Sequence, residues 1–218
     1  MPQNQSPYSP FAFNASNDSS ASGAIDQQTG QPVYGITDLT LGLYFDLTNS
    51  EAASNSDTLI GTLYAGRYRR IQVDSGATAA NVKTGTIGLM PSLAAQGQDV
   101  SPLGVPTENV VTSYDQSIGN TVGGVRQVVF LNSITPGNFG FVQELGLATV
   151  LGKSTLTANP GAAVGDTVVS VATGVVDDPV QSGSPTYATL KTVLGVAIDP
   201  PNAGGLFRVL LNLPVVQD

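Results

Sequence analysis

The chain predicts an all-β protein, a β-sandwich or small β-barrel modules carrying an extended N-terminal arm. Three observations lead there. Short apolar or alternating runs recur from Val33 almost to the C-terminus. Turn-formers divide them, with 25 Gly and 14 Pro spread at no fixed period. Only "PSLAAQGQ" and "SNSDTLIG" carry a helix-starting pattern, and both are short. Short strands broken by regular turn signals are the pattern of sandwiches and barrels.

Taken in order, residues 1–32 are rich in Ser, Asn, Gln and Pro. Such a segment buries too little apolar surface to offset its own ordering entropy. It nevertheless holds Tyr8, Phe11 and Phe13, flanked by Pro7 and Pro10. It reads either as a docking arm with aromatic anchors or as a tail with incidental aromatics. Next, "ITDLTLGLYFDLT" (36–48) places Leu39, Leu41, Leu43 and Phe45 on one face. Asp38, Thr40, Gly42 and Tyr44 fall on the other, as in a half-buried strand. "DTLIGTLYAGRYRRIQVDSG" (57–76) is one or two strands bent at Gly61 and Gly66. "TGTIGLMP" and "ENVVTSYD" are short apolar runs.

"VRQVVFLNSITPG" (125–137) is a strand closing in a Thr-Pro-Gly turn, where Gly137 permits a positive φ. "FGFVQELGLATVLG" (139–152) follows at once, so the two form a hairpin or a strand-corner-strand. "GDTVVSVATGVV" (165–176), "YATLKTVLGVAID" (187–199) and "GLFRVLLNLPVV" (205–216) complete the set. The composition shift at "KSTLTANPGAAVGD" divides a main β domain, 33–152, from a C-terminal module, 153–218, unless it is a long loop within one domain.

Composition excludes more chemistry than it supports. The 218 residues include no Cys and no His, and Trp is absent too. Disulfides, Ser-His-Asp triads, Cys-His dyads and ordinary zinc or copper sites therefore lose their parts. No cofactor or metal is expected, and the chain reads as no enzyme. With 16 Asp+Glu against 8 Lys+Arg, the net charge of −8 argues against nucleic acid as a partner. No run of 18 apolar residues suggests a membrane span, and "MPQNQSPYSPFAF" lacks the pattern of a secretory signal. Only 11% of residues are charged, against about 25% in an average soluble domain. A surface of hydroxyls and amides suits packing into an assembly, where charges are costly to desolvate.

Individual motifs read structurally. "ELGLATVLGKST" (144–155) resembles a phosphate loop, yet five residues rather than four separate Gly146 from the Gly-Lys pair. The five are apolar or β-branched, as in a strand. Asp177 and Asp178 are adjacent, so on extended backbone they point apart and serve a turn better than a shared proton. "VDSGAT" around Asp74 is similar to an aspartic-protease loop, but this chain has no second copy, and a β-turn is the simpler reading. In "GRYRR", Arg67 and Arg69 share a strand face and Arg70 takes the other. This run is a solvated edge strand or a contact for an acidic protein surface.

Four stretches together carry a family likeness: "YAGRYRRIQVDSGATAANVKTG", "SITPGNFGFVQELGLATVL", "AAVGDTVV" and "VLGVAIDPPNAGGLFRVLLNL". They span roughly residues 60–216, and their Gly-led turns and strands resemble structural proteins of tailed bacteriophage heads, in particular capsid decoration (cement) proteins. The resemblance implies a homo-oligomer, a trimer by preference, on the outer surface of a virion, bridging neighbouring major capsid protein subunits. The expected partner contacts are Tyr8, Phe11 and Phe13 in the arm, Arg67, Tyr68 and Arg70 in the basic run, and Asn138–Phe139. A carbohydrate-binding or adhesin-like β module is the competing expectation, weakened by the lack of Trp.

Overall fold

The structure, a computed structural model, describes residues 44–55, 62–90, 109–114, 126–153, 163–178, 193–202 and 205–211. It is all-β. Its strands are β1 (Tyr44–Leu47), β2 (Gly66–Val73), β3 (Ile87–Met90), β4 (Val110–Ser113) and β5 (Arg126–Phe130). They continue with β6 (Phe139–Leu151), β7 (Thr167–Ser170), β8 (Val176–Asp177), β9 (Val193–Ala197) and β10 (Leu206–Leu211). An α-helix, α1 (Asn49–Asn55), follows β1. The strands form a single sheet in the order β1-β2-β4-β3-β5-β6-β10-β9-β7-β8. A further pairing of β2 with β6 closes β2-β4-β3-β5-β6 into a five-stranded barrel. The N-terminal arm, with Tyr8, Phe11 and Phe13, lies outside the described residues.

Strand alternation decides what each face buries. Ile71 and Val73 of β2, Met90 of β3, Val111 of β4, Val128 and Phe130 of β5 and Val142 of β6 fill the barrel. Their intervening neighbours face outward. Ile87, Leu89 and Val129 then pack under the second half of the sheet, against Ala148, Val150, Val168, Leu194, Phe207 and Val209. Buried Tyr114 also bridges these layers, its hydroxyl donating to the Ser170 carbonyl at 3.3 Å. The 13-residue β6 joins the layers, pairing with β2 and β5 along its first half and with β10 along its second. The boundary expected at 152/153 falls just after β6, and β10 pairs back with β6 across it in the same sheet.

Two local features differ from the sequence expectation. The run 165–176 is two strands, because Ala172–Gly174 makes a tight turn with Thr173 at φ 69° and Gly174 at φ 74°. Val171 then donates to Val175 across the turn at 2.9 Å. A helix not expected from the sequence begins at Asn49, while "PSLAAQGQ" and most of "SNSDTLIG" lie outside the described residues. Thr48 and Glu51 form a capping box, Glu51 Oε2 accepting from the Thr48 amide at 2.9 Å and from its hydroxyl at 2.7 Å. These two bonds hold the Glu51 carboxyl below its usual range. The Thr135–Asn138 turn is as expected, with Asn138 N–H donating to Thr135 O at 3.0 Å and Gly137 at φ 89°.

α1 caps the outer side of β2 and β6. Ala52, Leu47, Leu63 and Leu131 gather over Tyr68 and Phe141. Tyr68 is wholly buried, and its hydroxyl donates to the Tyr64 carbonyl at 2.6 Å while accepting from the Tyr64 amide at 3.2 Å. Burial pushes its phenol up to about 12. The unfolded phenol ionises near 10, so the stabilisation is complete below pH 10 and lost as pH rises through 12. That loss amounts to about 3 kcal/mol at 1.4 kcal/mol per pH unit. Tyr68→Phe is expected to cost about 2 kcal/mol at neutral pH by stranding the Tyr64 carbonyl. Its denaturation midpoint should also fall less between pH 10 and 12 than that of the parent. Equal alkaline slopes in urea titrations would refute this role for Tyr68.

Candidate interaction face

Where β2 passes beyond the closed barrel, the side that lined the interior opens outward. Register places its residues in rows. Asp46, Arg67 and Leu145 lie abreast on β1, β2 and β6. Leu147, Leu210 and Val196 lie abreast on β6, β10 and β9. Cross-strand partners share a face, so aromatic and arginine groups at one end meet a leucine stripe at the other. Tyr44 is 57% exposed, Leu210 49% and Leu145 40%, while Leu147 and Val196 are half-buried. These exposed apolar groups stand in neighbouring rows on one face of the sheet.

The charged end is rigidly built. The Arg67 and Arg69 guanidiniums sit 4.9 and 5.3 Å from the centre of the Tyr44 ring. Such cation–π contacts hold an exposed aromatic in place. Arg67 also donates to Asp46 from Nε at 2.9 Å and from Nη2 at 3.1 Å. That fork, chiefly through its hydrogen bonds, lowers the Asp46 carboxyl and raises the Arg67 guanidinium from their ordinary ranges. Beneath them the β2–β6 register shifts between Arg67 and Tyr68, leaving Glu144 as the extra residue of a bulge. Nearly buried Glu144 pairs with Arg69 at 2.5 Å, and Arg126 lies 3.9 Å away. Arg69 also reaches Asn109 Oδ1 at 3.3 Å. These groups stop the open end of the barrel.

The expected contact residues divide accordingly. Arg67 lies on the open face. Tyr68 and Arg70 do not; both are buried, and the Arg70 guanidinium lies 5.7 Å from the Phe141 ring. Phe139 is buried beside Val110, and half-buried Asn138 accepts at its carbonyl from the Val73 amide at 2.8 Å. These residues hold the fold together. Tyr44 and Leu145, exposed on this face, were not among the residues expected there. The available signal for Tyr44 was an aromatic on the polar side of an alternating strand.

The remaining motifs are structural. Gly146–Leu151 is strand, and Lys153 Nζ donates to Asp177 Oδ2 at 3.0 Å. Asp74 Oδ1 accepts from the Gly76 amide at 2.8 Å, closing a turn. Among the described residues, no three acidic side chains gather as a metal site would require. No described helix is long and apolar enough to cross a membrane.

No family model matches the chain, and no curated protein matches its sequence. Among solved structures it is similar to the head fiber gp8.5 N base of bacteriophage phi29, at 15% identity and a TM-score of 0.38. That match covers 66% of this chain and 92% of the other.

Proposed function

We propose that the protein is a non-enzymatic structural protein of a phage virion, decorating the head and stabilising it by binding across neighbouring major capsid protein subunits. It works as a homo-oligomer, a trimer by preference, on the outer capsid surface, with protein rather than nucleic acid or membrane as its partner. The supporting observation is the half-open face of Tyr44, Arg67, Leu145, Leu147 and Leu210. Arginine, aromatic and leucine groups on one face suit a surface that is covered in use. The resemblance of its Gly-led turns and strands to phage head structural proteins suggests the setting. Few charges elsewhere keep the desolvation cost of further contacts low, and symmetric copies multiply modest affinities into firm attachment.

The test is co-sedimentation of the full chain with purified heads that lack it. Saturable binding at a fixed number of copies per capsid protein is expected. Protein that stays in the supernatant at micromolar concentration would end the proposal.

A further inference from the structure

We infer that residues 1–43 of a neighbouring copy lie across the face formed by β1, β2, β6 and β10. The inference rests on the assembly role proposed above and names what covers this surface. Charge is the first argument. Residues 1–43 contain Asp18, Asp26 and Asp38 and no basic residue; the first in the chain is Arg67. The open end of the barrel gathers Arg67, Arg69 and Arg126, out of 8 Lys+Arg in a chain of net charge −8. Asp46 and Glu144 offset two of these three charges, which leaves this end at a net +1 facing the three carboxylates of the arm.

The second argument is apolar fit. The arm carries Tyr8, Phe11 and Phe13, and the face offers Leu145 and Leu210 with Leu147 between them in register. Aromatic side chains seated on such rows act as anchors.

The third argument is connection. The arm joins the fold at Tyr44, the exposed aromatic of the face itself, on the terminal strand of the sheet. From there β1 runs toward Gly66, opposite the end nearest Arg69. Leu145 and Leu147 lie toward that Gly66 end. The chain therefore enters from the side away from the leucine stripe, and covering its own stripe would require it to double back. Forty-three residues span up to about 140 Å when extended, against a radius of gyration of about 17 Å for a domain of this length. Reaching the next copy is easy.

The cysteine-free chain makes the test clean. Full-length Phe11→Cys and Leu210→Cys variants are mixed and oxidised, with circular dichroism confirming that each is folded. A disulfide-linked heterodimer is expected in about tenfold excess over a mixture of Phe11→Cys with Ala53→Cys, whose thiol lies on α1 over the opposite face. A yield no higher than this control overturns the inference. So does a Phe11→Cys/Leu210→Cys double variant that closes only within its own chain. Changing Asp18, Asp26 and Asp38 to Asn should cut the heterodimer several-fold, and an unchanged yield removes the charge argument. Co-sedimentation with heads is scored separately, so loss of arm exchange and loss of capsid binding are told apart.

Discussion

Gly146→Ala is expected to lower the melting temperature by about 10 °C. Gly146 sits at φ 95°, which disfavours any side chain. An added Cβ would also fall 2.3 Å from the Ala65 carbonyl oxygen and 2.6 Å from the Gly66 Cα. Both are backbone atoms, one at the start of β2 and one just before it, where the Ala65 carbonyl accepts from the Leu147 amide, and neither can swing aside. Gly66, its register partner, is as tightly held, since a Cβ there would lie 2.2 Å from the Leu145 carbonyl oxygen. The left-handed backbone costs about 1–2 kcal/mol and the overpacking about 1–3 kcal/mol. Together these give about 3–4 kcal/mol, or roughly 10 °C for a chain of this size. Gly137→Ala is the control: its φ is 89°, but nothing lies within 4 Å of an added Cβ, so only the smaller conformational cost remains. Thermal melts followed by circular dichroism compare the two, and equal shifts would contradict the close approach of β2 and β6.

Arg69→Met is expected to cost about 3 kcal/mol, the low end for breaking a nearly buried ion pair. It leaves Glu144, 8% exposed, with Arg126 alone at 3.9 Å. The cost is mainly that of a stranded carboxylate. Pairing Arg69→Met with Glu144→Leu should therefore recover most of the loss, because two apolar groups of similar size strand no charge. Urea denaturation of the four proteins of this cycle measures the coupling. A double variant as unstable as the sum of its singles would show that the two side chains act independently.

Local chemistry was readable from the sequence; which faces would be covered was not. β3, β4, β5 and β6 lie inside the apolar runs predicted for them, and the Thr135–Asn138 turn follows directly from Pro136 and Gly137. The Thr48…Glu51 spacing announced α1, but the polar residues around it masked the signal. Ala-Thr-Gly at 172–174 lacks the usual turn pairs, so β7 and β8 read as one strand. Closure of β2 onto β6 joins residues 67 to 80 positions apart, and short-range periodicity carries no trace of that. The same limit governed the contact surface. Alternation put Arg67 and Arg69 together, as found, and Arg70 opposite them. It could not show that α1, Leu63 and Leu131 cover Tyr68 on that opposite side.

β6 gives the molecule a spine. Because one unbroken strand stitches the barrel to the flanking sheet, tension on the C-terminal strands passes through the hydrogen bonds of β10 into β6 and on to β2 and β5. Those ladders lie parallel to the strand and are loaded in shear, many bonds at once, instead of being unzipped one by one. A molecule wired this way resists being pulled apart along β6.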